Sequence, residues 1–92
     1  MKQIFSVVKS YVIGPCNAIS HGTNKGEAMA RYAAEVERAE REELPVELSY
    51  VDRMADGKQY NKLTGIFCYG VLTYDRKGNP EYIASSGLYR EK

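Results

Sequence analysis

Three residues of this chain have side chains that commonly act as nucleophiles, bases or metal ligands: Cys16, His21 and Cys68. His21 is the only histidine, so a nucleophile–base pair would have to join it to one of the two thiols. Neither thiol is accompanied by a motif for an orienting acid or an oxyanion hole. A structural zinc site would also need a fourth ligand and paired-ligand spacing. The sequence therefore predicts no catalytic residue, no metal site and no cofactor, and we expect a non-enzymatic protein.

Cys16 and His21 fall within residues 14–26, which separate an apolar run from the start of a helix. This segment contains three glycines and two asparagines, and no acidic residue precedes Glu27. We predict a polar loop that leads into a helix N-terminus, where exposed amides and the helix dipole attract anions. The spacing is not that of a P-loop. The residues of this alternative ligand loop are His21, Thr23, Asn24 and Lys25.

A helix is predicted from Asn24 to about Leu44. Asn24 and Glu27 have the spacing of a capping box, with Thr23 as a competing start, and Pro45 ends the helix. Its predicted buried stripe consists of Met29, Tyr32, Ala33, Val36 and Ala39.

The remaining face of the predicted helix is charged. Residues 27–44 contain six glutamates and three arginines, which is typical of a solvated, ion-paired helix face. The functional interpretation is an acidic docking patch for a protein partner, represented by Glu35 and Glu42.

Strands are predicted over residues 3–13, 46–53, 63–74 and 81–89, with turns over 54–61 and 75–80. The predicted fold is α+β, with one α-helix packed on a mostly antiparallel 3–4-stranded sheet in the order β-loop-α-β-β-β, forming a single domain over residues 1–92. If the first two strands were parallel neighbours, their connection would be right-handed. One helix covers only one face of such a sheet, so the other face is left to solvent or to a partner.

Tyrosine is unusually abundant in the second half of the chain. The sequence has eight tyrosines and no tryptophan, and six of the tyrosines lie between residues 50 and 89. Tyrosine combines apolar area with a polar tip and is enriched at protein interfaces. We predict that the partner-binding residues on the sheet are Tyr69, Tyr74, Tyr82 and Tyr89. Aromatic residues on a sheet can also stack bases, but here acidic residues are interspersed among the basic ones, so nucleic acid is not the favoured partner.

The net charge of +1 gives no overall attraction to nucleic acid or to an anionic membrane. The apolar run from Ile4 to Val8 is broken by Lys9, which predicts neither a signal peptide nor a membrane span. We therefore expect a cytoplasmic location and no disulfide between Cys16 and Cys68.

In size and composition the chain resembles small accessory proteins of phages and mobile elements. The resemblance rests on no particular motif or residue. It implies binding to a host protein, with modulation or inhibition of that protein as the outcome. The predicted function is accordingly a protein–protein interaction module, with homo-oligomers formed through an open sheet face or edge. The alternative is a nucleotide- or nucleic-acid-binding domain that uses the 14–26 loop and the tyrosine-rich sheet.

Overall fold

A computed structural model of the protein describes residues 3–47 and 63–91. Within them one helix and six strands follow one another along the chain. They are β1 (Phe5–Tyr11), β2 (Cys16–Gly22), α1 (Lys25–Glu42), β3 (Leu44–Val46), β4 (Ile66–Tyr74), β5 (Pro80–Ser85) and β6 (Leu88–Arg90).

The strands form one sheet in the order β2-β1-β4-β6-β3, and β5 pairs with the end of β4 that β6 leaves unpaired. Every strand pair described is antiparallel. The predicted α+β fold, one helix on an antiparallel sheet, is confirmed. The sheet has more strands than the three or four predicted, and the parallel arrangement that would have required a right-handed crossover does not occur among the described pairs.

The prediction of a loop over residues 14–26 is wrong for most of its length, because Cys16–Gly22 forms strand β2 against β1. The chain reverses in the turn after Tyr11, whose amide donates to the Pro15 carbonyl at 3.2 Å. Gly14 adopts φ +137° in this turn, a conformation that favours glycine. Backbone pairing with β1 stabilises β2 although five of its seven residues are exposed.

Helix α1 begins where the capping pattern predicts. The Asn24 side chain accepts a hydrogen bond from the Glu27 amide at 3.0 Å, which identifies Asn24, not Thr23, as the N-cap. The helix ends at Glu42, two residues before the predicted end. Of the predicted stripe, Ala39 is fully buried, whereas Ala33 is exposed and Ala28 is buried instead.

The main core lies between α1 and one face of the sheet. Alternate residues of β1 and β4 point toward the helix, because side chains on a strand alternate between its two faces. The buried members of this helix-side core are Phe5, Val7, Ala28, Ala39, Phe67, Tyr69, Val71 and Tyr89. A smaller cluster on the opposite face joins Leu63 and Ile66 with Ile13, Val46 and Leu88.

The second half of the chain follows the predictions with local differences. Strand β4 begins at Ile66, three residues after the predicted start, and the predicted last strand is divided into β5 and β6 by Ser86 and Gly87. The turn over 75–80 is confirmed: the Asp75 carboxylate accepts from the amides of Lys77 and Asn79 at 2.8 and 2.9 Å. The predicted strand beyond residue 47 and the predicted turn over 54–61 lie outside the described residues.

Candidate functional site

The tyrosines predicted to bind a partner divide into a buried pair and an exposed pair. Tyr69 is 1% exposed and Tyr89 is 5% exposed, both in the helix-side core. The Tyr69 hydroxyl accepts a hydrogen bond from Arg38 at 2.9 Å, and the Tyr89 hydroxyl donates to Glu40 at 3.4 Å. The prediction that Tyr69 and Tyr89 lie on a binding surface is therefore wrong, because their strand positions face α1.

Burial also changes the acidity of these two phenols. It raises the pKa of Tyr69, and the nearby Arg38 guanidinium only partly opposes the increase. Burial, reinforced by the negative charge of Glu40, raises the pKa of Tyr89. Both phenols therefore stay protonated at neutral pH and act as hydrogen-bonding members of the core.

Tyr74 and Tyr82 lie on the other face of the sheet, which we call the open face. They are 55% and 52% exposed. Ile4, which is 52% exposed, lies beside them. Ser6 is opposite Leu72 in the antiparallel register, and continuing that register places Ile4 opposite Tyr74. The Ile4 carbonyl accepts a hydrogen bond from the Thr73 hydroxyl at 2.9 Å. Ile4, Tyr74 and Tyr82 are three of the five large hydrophobic side chains that are exposed in the described parts of the chain. We call these three residues the open-face patch.

The aromatic ring of Tyr82 rests on the backbone of Gly70. A Cβ at position 70 would lie only 2.9 and 3.0 Å from two carbons of this ring. Val8 is directly opposite Gly70 in the sheet and is only 4% exposed. Glycine at position 70 thus lets Tyr82 lie flat on the open face while half of its side chain stays accessible.

The two helix glutamates proposed as docking residues are both held in ion pairs. Glu35 contacts Arg31 at 3.2 Å and Arg38 at 3.0 Å, and its side chain is only 16% exposed. Glu42 contacts Arg38 at 3.1 Å but remains 56% exposed. The arginines neutralise much of the predicted acidic patch, so Glu35 stabilises the helix surface and Glu42 is the more accessible of the two.

Cys16 and His21 stand at opposite ends of β2. Five residues of extended strand separate them by about 16 Å, which is beyond the reach of a nucleophile–base pair. The Nδ1 atom of His21 instead lies 2.8 Å from the Ser6 hydroxyl on β1. Ser6 and His21 are directly opposite each other in the sheet, which brings their side chains together.

The two cysteines are free and lie on either side of Ser10, one on each strand that flanks β1. Two strand spacings separate their backbones by about 10 Å, too far for a disulfide. Burial raises the pKa of Cys68, which keeps its thiol protonated at neutral pH. In the described ranges, 3–47 and 63–91, no three His, Cys, Asp or Glu residues are grouped so that they could hold a metal ion.

A cleft of about 200 Å³ lies between the end of β2 and the start of α1. Its lining includes His21, Asn24, Glu27 and Arg31. Three of these four side chains are already engaged, because His21 contacts Ser6, Asn24 caps the helix and Arg31 pairs with Glu35. Glu27 adds a carboxylate. Thr23 and Lys25 are exposed and are not part of the lining, so the cleft is less suited to an anion than the sequence predicted.

A polar cluster that the sequence analysis missed joins Lys9 to Glu91. The Lys9 ammonium lies 3.2 Å from the Glu91 carboxylate and 4.2 Å from the centre of the Phe67 ring. The Tyr11 hydroxyl donates a hydrogen bond to the same carboxylate. Partial burial lowers the pKa of Lys9, but interactions with Tyr11 and Glu91 outweigh it and hold this pKa above its usual value. These interactions connect Glu91, the residue after β6, to two side chains of β1.

Glu91→Gln is expected to reduce the stability of the protein at neutral pH and to have no effect at low pH. Hydrogen bonds from Tyr11 and Lys9 hold the pKa of Glu91 below its usual range. A folded-state pKa below the unfolded value stabilises the protein above about pH 4.3, and this contribution disappears as the pH falls through the folded pKa. Urea unfolding of both proteins between pH 7 and pH 3 measures the difference. The control is Glu81→Gln, on the exposed part of β5; a Glu91→Gln loss that stays constant with pH would contradict an ionic role.

Comparison of the chain with protein-family models, with curated protein sequences and with solved structures gives no significant match. Among the described residues, no helix is both long enough and apolar enough to cross a membrane. The geometry of the molecule itself is therefore the basis on which its function is inferred.

Proposed function

We propose that this protein is a non-enzymatic protein-binding module whose partner docks on the open-face patch of Ile4, Tyr74 and Tyr82. The observation that carries the proposal is the contrast between the two tyrosine pairs. Tyr69 and Tyr89 fill the core, whereas Tyr74 and Tyr82 remain more than half exposed beside an exposed isoleucine.

Leaving these three side chains in water forgoes the free energy that their burial would provide, about 25 cal/mol for each Å² of apolar surface. A partner that covers the patch would recover this free energy. Exposed apolar groups that cluster, unlike those scattered singly, commonly mark interaction sites. Tyrosine is also among the residues that contribute most to binding when an interface buries them.

The surroundings of the patch support a protein partner more than a nucleic acid. Stacking of bases on a sheet requires basic side chains beside the aromatic rings to contact phosphates. The adjoining turn contains Arg76 and Lys77, but Asp75 and Glu81 flank them. Modulation or inhibition of the partner would follow if the protein covers a surface that the partner uses.

Affinity capture from cell extract, with and without nuclease, tests the proposal when the wild-type bait is compared with variants of the patch and with a control variant. Ile4→Asp places a charge in the patch. Val12→Asp is the matched control: Val12 is also exposed, at 40%, but it follows the last residue of β1, about 26 Å from Ile4 along the strand direction.

We expect one or more proteins to be captured by the wild-type and Val12→Asp baits after nuclease treatment, and to be lost with Ile4→Asp. Tyr74→Asp should give the same loss. Captured proteins that disappear with nuclease would indicate nucleic acid as the partner. Equal capture by all baits, or no capture at all, would contradict docking on the patch.

A further inference from the structure

Three of the described strands have an edge that pairs with no other described strand: β2, β3 and β5. Such an edge exposes backbone donors and acceptors to which another strand can bind, and proteins commonly block it with proline or charge. Strand β3 contains Pro45 among its three residues. Strand β5 begins with Pro80 followed by Glu81. These two edges therefore carry the usual devices that prevent pairing.

Strand β2 carries neither device. Its sequence, CNAISHG, contains no proline and no acidic or basic residue other than His21, and all seven residues are exposed or half-exposed. Its one irregularity is a bulge opposite Val7 and Val8, which interrupts the register between Ala18 and Ser20. The stretch before the bulge, residues 16–18, is regular, and no strand among the described residues pairs with its outer edge.

The hydrogen-bonding pattern shows which backbone groups of this edge face outward. The Tyr11 amide donates to Pro15, so Tyr11 and Pro15 form a hydrogen-bonded pair of the antiparallel ladder. These pairs alternate with pairs that are not bonded to each other. The next bonded pair is Lys9 with Asn17, and the amide and carbonyl groups of Cys16 and Ala18 point away from β1.

From these features we propose that β2 pairs with β2 of a second copy of this chain, antiparallel about a two-fold axis at Asn17. In this arrangement Cys16 of each copy is opposite Ala18 of the other, and each such pair exchanges two backbone hydrogen bonds. The outward groups of a single strand are therefore self-complementary, as a two-fold interface requires. The two copies join edge to edge into one continuous sheet.

The charge and size of the side chains on this edge also permit a second copy to bind. The pairing residues are uncharged and small, so the two-fold axis brings no like charges together and no bulky side chains into conflict. The net charge of +1 adds little repulsion between copies. This inference concerns the edge of the sheet and does not depend on the proposed function, which concerns the open-face patch.

Sedimentation of the purified protein over a wide concentration range tests the pairing. We expect a monomer–dimer equilibrium for the wild type. Ala18→Lys should weaken dimerisation at least tenfold, because the two new ammonium groups meet near the axis. Ser85→Lys is the matched control, since it adds the same charge at an exposed position on the blocked edge of β5.

Hydrogen exchange of the unmodified protein gives a second readout that needs no variant. The amides of Cys16 and Ala18 should exchange more slowly as the concentration rises, whereas the exposed amides of β5 should not change. A wild type that remains monomeric up to millimolar concentration would overturn the proposal. A dimer that Ser85→Lys disrupts as strongly as Ala18→Lys would overturn it as well.

Discussion

Phe67→Ala is expected to lower the free energy of unfolding by about 3–5 kcal/mol, the range observed when a fully buried phenylalanine is truncated. Phe67 is 1% exposed and stands at the centre of the helix-side core. Its ring is 5.5 to 6.0 Å from the ring centres of Tyr11, Tyr69 and Tyr89. Truncation would leave a cavity bordered by three rigid aromatic rings, which have little freedom to collapse into it.

The expected loss is large relative to the total stability of so small a domain. At 0.05–0.15 kcal/mol per residue, a chain of 92 residues has a folding free energy of about 5–14 kcal/mol. The Lys9 ammonium also loses the ring face over which it lies. Phe67→Ala should therefore be partly unfolded if the wild-type stability is at the lower end of this range, and should keep about half of its stability if the wild type is near the middle.

Urea unfolding followed by circular dichroism measures the effect. The control is Val12→Ala, which truncates an exposed side chain and should change the unfolding free energy by less than about 0.5 kcal/mol. A loss below about 1.5 kcal/mol for Phe67→Ala would be inconsistent with a central position in the core.

The sequence predicted the elements whose signals are local. The Asn24 cap, the spacing to Glu27 and Pro45 together place α1 within two residues at each end. The aspartate of the 75–80 turn likewise bonds to its own neighbours. In both cases the residues that define the structure are close together in the chain, so their pattern is readable without knowledge of the fold.

Strand β2 was not predicted because most of its residues are exposed, and an exposed edge strand needs no alternation of apolar and polar residues. Ile19 is its only large apolar residue, and it packs against both helix-side clusters. What makes the segment a strand is its pairing with β1, and tertiary context of this kind overrides the weak strand propensity of asparagine, serine and glycine.

The site was predicted only in part, since composition does not reveal which face of a strand meets the helix. Tyr69 and Tyr74 lie on the same strand, five residues apart, and therefore on opposite faces. A one-residue change of register would exchange their environments. The role of Lys9 was equally hidden, because the sequence shows only a charge within an apolar run and its partner Glu91 is 82 residues away.

Gly70→Ala is expected to disrupt the open-face patch and to lower the free energy of unfolding by about 1–3 kcal/mol, the usual cost of overpacking. The new Cβ would lie 2.9 Å from the Tyr82 ring and 3.2 Å from the carbonyl oxygen of Ala84. Because the ring is half exposed, it can swing outward and away from Gly70. The backbone carbonyl belongs to the strand that pairs with β4 and has much less freedom to move.

A double-mutant cycle with Tyr82→Ala separates these two contacts. If displacement of the ring is the main cost, Gly70→Ala should be much less destabilising in the Tyr82→Ala background, giving a coupling free energy above about 0.5 kcal/mol. Additive effects would show instead that the carbonyl of Ala84 resists the new methyl group. Urea unfolding of the wild type, both single variants and the double variant provides the four free energies.

Capture assays with the Gly70→Ala protein test whether Tyr82 must lie flat on the sheet for the partner to bind. We expect the captured partner to be lost with Gly70→Ala although Ile4, Tyr74 and Tyr82 are all present, because the patch depends on a glycine beneath it.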